Sequence, residues 1–296
     1  MTIAYPTDSR LYQKSRSILV RLAKREGIEL RQTYERVGKR AFIMQSRYSH
    51  ARQMQRATRE QKKQWLYLGR VIRDIERKHA DPSSLLATML ERAKRIFGQK
   101  RNDSNKLYSM QAPEVECIAK GKAHKKYEFG CKVSLVSTSK DNWVVGVQAI
   151  HGNPYDGHTL KEALDHAEAV TGWRAQHAYC DKGYKGAPAV LGETAIHLAN
   201  KKKKSMTPRE WSWFKRRSAI EPIIGHVKHN HRMDRNDLKG KDGDKINAIL
   251  AGCGYNIRKL LRAILLWLFK ERFRSITTEM MTLLRRFSPN YQPVCG

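Results

Sequence analysis

The segment Arg217-Ser-Ala-Ile-Glu221-Pro-Ile-Ile-Gly-His-Val-Lys228 sets one acid between two cations. On a helix of about 3.6 residues per turn, four residues advance about 40° past one turn and seven fall about 20° short of two, so Arg217, Glu221 and Lys228 share a face. That combination suits phosphate chemistry: the carboxylate holds a metal ion, and the guanidinium and ammonium grip a phosphodiester. A competing reading starts the helix at Ser218, because Ser218-Ala-Ile-Glu221 has the form of a capping box and Pro222 lacks a backbone donor. Arg217 then lies outside the helix, and the shared face belongs to Glu221 and Lys228 alone.

A second acid stands in Asp181-Lys-Gly183-Tyr-Lys-Gly186, directly after the short run Gln176-His-Ala-Tyr-Cys180. An acid at a strand end before a glycine turn sits where open α/β sheets place their ligands. Hard divalent cations choose oxygen, and Mg²⁺ is commonly held by one or two carboxylates plus water and substrate phosphate. Asp181 and Glu221 are therefore the candidate metal ligands, with Mg²⁺ or Mn²⁺ as the ion. Two such ions about 3.5–4 Å apart can activate an attacking hydroxyl and stabilise the leaving oxygen. The plainer roles for these acids are turn former and ion-pair partner. His226, His229 and His231 have no cysteine nearby, which favours surface or phosphate contacts over zinc. Trp211, Trp213 and Phe214 are read either as stacking partners for bases or, more simply, as packing residues.

These residues need elements to position them. Ser9 to about Gly98 is helical in composition, and Trp65, Leu68, Ile72 and Ile75 follow three-four spacing, with Arg70, Arg73 and Arg77 on other faces. Pro6-Thr-Asp8-Ser9 reads as a turn or N-cap opening that block, and 101–106 reads as a linker. Glu128 to Thr138 and Trp143 to Ile150 alternate like strands around the turn Ser139-Lys-Asp-Asn142, which predicts a hairpin. Thr159-Leu-Lys-Glu162 predicts a helix start with Leu160, Ala163, Leu164, Ala167 and Val170 inward, and Thr207-Pro-Arg-Glu210 predicts another start. Lys201 to Lys204 reads as a basic loop. A long helix is expected from about Lys245 to Lys270, with Leu260 to Phe269 buried, followed by a separate helix and tail. The resulting division is 1–8, a helical block 9–100, a linker 101–111, an α/β domain 112–270 and a tail 271–296.

The chain carries 58 Lys/Arg against 28 Asp/Glu, a formal net charge of +30. Such an excess favours a polyanionic partner, nucleic acid above all. Half of it falls in residues 1–100, with 24 Lys/Arg against 9 Asp/Glu. The five cysteines form no C-x-x-C pair, which argues against a zinc ribbon or a disulfide framework and for a reducing compartment. No apolar run is long enough to span a bilayer, so no membrane partner is expected.

Taken together, these segments resemble bacterial insertion-sequence DDE transposases. Arg217-x3-Glu221-x6-Lys228 is similar to the R-x3-E-x6-K part of that family's signature; Phe214 stands where the family has a tyrosine. Asp181-Lys-Gly-Tyr-Lys-Gly186 resembles the family's D-x-G-Y-x-G segment, and Tyr127-Glu-Phe-Gly-Cys-Lys132 and Asn236-Asp-Leu-Lys-Gly240 are similar to further family segments. The resemblance implies an α/β, ribonuclease-H-like mixed sheet flanked by helices, with an inserted all-helical segment. It implies a cytoplasmic, nucleoid-associated enzyme that cuts and joins DNA at terminal inverted repeats through two Mg²⁺ ions, as a homo-oligomer assembled on DNA. Asp181 would be the second acid, Glu221 the third, and Arg217 and Lys228 would contact DNA or support the metal site. The family's first acid is expected just ahead of the stretch equivalent to Ile3–Asp8, and Asp8 falls on the following turn, a poor substitute. Two other readings follow: a catalytically impaired DNA-binding remnant, or a basic RNA-binding protein.

Overall fold

The computed structural model describes residues 5–78, 83–119, 126–198 and 207–287. The basic loop 201–204 and the last residues of the tail lie outside them. The chain forms two compact units, one of residues 1–132, 149–154 and 235–244, the other of 133–148, 155–234 and 245–296.

The first unit is built on four helices, α1 (Asp8–Arg25), α2 (Glu35–His50), α3 (Met54–Lys78) and α4 (Ser84–Gly98). Thr7 caps α1 by accepting from the Arg10 amide, and Asp8 in the first turn complements the helix dipole. Leu19, Leu68, Ile75, Leu86 and Ile96 are fully buried at their shared core. Trp65 stacks on Phe97 with ring centroids 4.5 Å apart, and Arg70, Arg73 and Arg77 are exposed, as the spacing predicts. Burial of two charged groups is compensated by hydrogen bonds. Asp74 accepts from the Arg31 amide at 2.7 Å and pairs with Arg77 at 3.3 Å; Arg16 donates to the Thr33 carbonyl at 2.8 Å. Burial lowers the Arg16 pKa.

A short antiparallel pair, β1 (Glu116–Ala119) and β2 (Tyr127–Gly130), completes this unit. Sequence alternation runs through Glu128–Thr138 as one strand, but the chain breaks at Cys131. Gly130 takes φ 149°, and β2 turns to β1 while β3 (Lys132–Ser137) pairs with β4 (Val144–Ile150). The expected hairpin is therefore present as β3–β4, with Asn142 at φ 56° in its turn.

In the second unit α5 (Asp156–Thr171) begins a turn earlier than the Thr159–Glu162 pattern predicts. Thr159 instead donates its hydroxyl to the Asp156 carbonyl. Leu160, Ala163, Leu164 and Ala167 are buried, whereas Val170 at the last turn is exposed. β5 (His177–Cys180), β6 (Val190–Leu191) and β7 (Thr194–Leu198) form a mixed sheet, with β5 parallel and β6 antiparallel to β7. α5 lays Leu160 and Leu164 on Cys180 and Ile196 of that sheet. Then come α6 (Pro208–Arg216), α7 (Ile220–His229) and α8 (Gly240–Phe287). Strands covered by helices, with a helical segment ahead of them in the sequence, are the α/β architecture expected from the sequence.

Gly146 and Val147 of β4 point to opposite faces. A Cβ at Gly146 would stand 3.5 Å from Ala167 of α5, and one at Gly252 of α8 would stand 2.6 Å from Val147 Cγ2. Asn256 locks the second contact, its amide clasping both the N–H and the C=O of Val144 at 3.0 and 2.7 Å. α8 continues past Lys270 to Phe287, and its expected buried stretch is exposed: Leu266 at 63%, Phe269 at 73%. An apolar run reads as core only if another element covers it, and in this chain none of the described residues buries those side chains.

Gly252→Ala should destabilise the protein by about 1–3 kcal/mol in urea unfolding, because overpacking against a stiff, buried valine outweighs a helix-propensity gain of about 1 kcal/mol. Gly225→Ala in α7, with nothing within 4 Å of its Cβ position, should stabilise by about 0.5–1 kcal/mol.

Candidate functional site

The two motif-bearing segments meet at Asp181 and Arg217. Asp181 ends β5 and opens a 3₁₀ turn (Lys182–Tyr184), its Oδ1 accepting from the Lys182 amide at 2.7 Å. Gly186, at φ 92°, closes the turn in a conformation that favours glycine. Beneath it Tyr184 packs into the core with Ala178, Ala187 and Leu198, and burial raises its pKa. Arg217 Nη1 lies 3.3 Å from Asp181 Oδ1; the Arg217 side chain is 20% exposed and that of Asp181 68%.

The helix geometry follows neither sequence reading completely. Thr207 and Glu210 form the predicted capping box of α6, with both reciprocal bonds present. Arg217–Ala219 is a 3₁₀ turn between α6 and α7, so Arg217 lies outside α7. Ser218 does not cap: its hydroxyl donates back to the Lys215 carbonyl at 2.7 Å. Glu221 and Lys228 share the face of α7, Glu221 exposed and Lys228 half-buried, while Ile223 and Val227 anchor its other side. Pro222 sits in the first turn, where no intrahelical donor is needed.

Phe214 lies 5.9 Å from the Arg217 guanidinium and stacks on Trp211 at 5.8 Å, and Arg216 lies over Trp213 at 4.9 Å. No residue of α6 is fully buried; Trp211, Trp213 and Phe214 are half-buried and pack on each other and on these arginines. The histidines part company: His226 meets Asn230, His229 faces Asp234, and His231 sits edge-on to Tyr255. Burial and the nearby Arg258 lower the His231 pKa.

Two neighbours of Asp181 escaped the sequence reading. Asp156 Oδ2 would stand 2.7 Å from a Cβ on Gly183, placing a further carboxylate against the Asp181 turn. Asp156 is the first residue of α5, and no short motif links it to Asp181. Cys180, just before Asp181, is buried, which pushes its thiol up to about 11 against an opposing pull from Arg217. Among the described residues, the set of three His, Cys, Asp or Glu donors close enough to share an ion is Cys131, His151 and Asp244, in the first unit. Asp8 in that unit faces Lys106 at 3.9 Å.

The α/β unit thus carries a strand-end acid, a glycine turn and an acid-bearing helix. Residues 95–257, just over half of the chain, match the transposase DDE domain family, and the chain belongs to it. The uncharacterized protein ORF8 in the nfe locus of Rhizobium meliloti is 63% identical over 51 residues, 17% of this chain and 25% of that protein. The chain thus spans about a quarter of the length of this curated relative. No solved structure matches. Among the described residues, no helix is long and apolar enough to cross a membrane.

Because only the thiolate reacts, Cys180 should resist alkylation at pH 8 in the native state. Among the described cysteines, exposed Cys253 should be modified first. Peptide mapping after iodoacetamide treatment checks this, with Cys180 labelled at comparable rate only after unfolding.

Proposed function

We propose that this chain is a DNA-binding transposase-family protein that occupies the terminal inverted repeats of an insertion sequence and cuts DNA poorly. The observation that carries this reading is the state of the Asp181 carboxylate, which faces Arg217 at 3.3 Å in a chain of this family. Oxygen donors at Asp181 and Glu221 suit Mg²⁺ or Mn²⁺ in kind. They do not suit it in number: among the described residues no set of three donors that includes Asp181 or Glu221 lies close enough to share an ion. A guanidinium on one of the two acids also competes for the lone pairs an ion would use. The residues present therefore do not make a complete two-ion centre, and no cleavage step is assigned to them.

Binding has stronger support. A net charge of +30 supplies a large, sequence-independent attraction to phosphate. In this reading Lys228 and Arg217 contact the backbone beside Glu221 and Asp181, and Phe214, against Trp211, offers a ring for a base displaced from the stack. The helical block 9–100 adds basic surface, joined through the linker 101–111 to the catalytic-type domain 112–270; residues 1–8 lead in and 271–296 form the tail. Assembly as a homo-oligomer on DNA and a nucleoid location belong to the same proposal.

The test is fluorescence anisotropy of the full chain on a duplex carrying the element's own ends, against scrambled duplex and ribosomal RNA, followed by a nicking assay with Mg²⁺ and Mn²⁺. Preference for the end duplex is expected, with affinity falling about 10³- to 10⁵-fold between 50 and 200 mM salt if 6–10 phosphates are contacted. Lys228→Ala should reduce the salt slope by about 1. Efficient Mg²⁺-dependent nicking, lost in Asp181→Asn or Glu221→Gln, would replace this reading with that of an active transposase; preference for RNA would remove both.

A further inference from the structure

Three segments remote in sequence converge in the first unit. Cys131 stands at the corner between β2 and β3, His151 follows β4, and Asp244 lies in the first turns of α8. Cys131 Sγ is 3.6 Å from His151 Nε2, and His151 Nε2 is 3.7 Å from Asp244 Oδ2. All three donor atoms lie within 4.8 Å of one another. We propose that Cys131, His151 and Asp244 bind a borderline-soft divalent cation of the zinc type.

The edge lengths support this. Tetrahedral zinc with bonds of about 2.3 Å to sulfur and about 2.0–2.2 Å to nitrogen and oxygen sets its ligands about 3.3–3.6 Å apart. The two edges at His151, 3.6 and 3.7 Å, need contract by at most a few tenths of an ångström, and the third lies within 4.8 Å. The partners beyond the ligands are those such sites use. His151 Nδ1 is buried without a hydrogen bond and faces Glu116 Oε1 at 3.6 Å, the placement that holds a proton on Nδ1 and turns the Nε2 lone pair toward a metal. Glu116 Oε1 is itself held by the Gly152 amide at 2.6 Å. Asn236 donates to Asp244 Oδ1 at 2.7 Å, leaving Oδ2 as the oxygen that faces His151.

The chemistry of the set selects the ion. Sulfur and imidazole ligands favour zinc over magnesium, whereas the Asp181 and Glu221 carboxylates would favour magnesium. Without a cation, burial and the carboxylates of Asp244 and Glu116 push the Cys131 thiol up to about 12. A bound divalent ion would offset that negative charge and take the thiolate. Three protein ligands leave the fourth position to water. The ion would clip the β2–β3 corner and the end of β4 to the start of α8, a structural role independent of DNA cleavage.

The experiment is titration of the chelator-treated full chain with Co²⁺ alone, followed by displacement with Zn²⁺. One equivalent should bind with a thiolate-to-cobalt charge-transfer band in the near ultraviolet, displaced by Zn²⁺ and not by equimolar Mg²⁺. The band should vanish in Cys131→Ser, and affinity should fall at least tenfold in Asp244→Asn. Both features should persist in Asp181→Asn and Glu221→Gln. Glu116→Gln keeps every ligand and should weaken binding about 10- to 100-fold, so it decides the matter if Cys131→Ser misfolds by circular dichroism. Absence of the band, its survival in folded Cys131→Ser, or unchanged affinity in Glu116→Gln would overturn the site. Loss of DNA binding in the preceding assay would leave it standing.

Discussion

The close approach of α8 to β4 is the constraint on which the second unit depends. Gly252 lets the helix backbone rest on Val147, and the Asn256 amide satisfies both backbone groups of Val144, so helix and strand are fixed in translation and rotation. β4 in turn offers its Gly146 face to Ala167, which seats α5. α5 then packs Leu160 and Leu164 over Cys180 and Ile196, and the strand so held delivers Asp181 at its end. Arg174 strengthens the seat by bonding Asp165 and Glu168 of α5 together with buried Thr194 of β7. The candidate carboxylate Asp181 is positioned by contacts several elements away.

What that positioning delivers is an ion pair between Asp181 and Arg217. Asp181 is too exposed for its contact with Arg217 to add much stability; pairs in water contribute about 0–1 kcal/mol. Its importance is chemical. The guanidinium offsets the charge of the acid at the end of β5 and occupies one of its oxygens. Arg217, later in the sequence, pairs with Asp181, and Asp156, earlier in it, lies against Gly183 of the same turn.

Much of the second unit was legible beforehand because its signals are local. The capping box at Thr207 and Glu210, the hairpin turn at Asn142 and the strand-acid-glycine succession at Cys180–Gly186 each depend on a few adjacent residues. So does the inward row of α3. Misreadings arose where a local pattern had two physical solutions. Alternation through Glu128–Thr138 fits one strand or two, and Gly130 decided for two by turning the chain. Ser218 had the composition of a cap, yet its hydroxyl found the Lys215 carbonyl first. The apolar run in α8 has the composition of a core helix but is left uncovered by the described chain.

The sequence by itself determined the family, the charge and the order of the elements, because those follow from residue types at short, fixed spacings. Tertiary structure alone decided which distant groups meet. It put Arg217 on Asp181, moved Arg217 out of the helix that carries Glu221, and drew Cys131, His151 and Asp244 into one cluster. Those three lie at spacings no short motif spans. Their convergence follows from where strands and a helix begin and end in space, which is set by packing and backbone hydrogen bonds.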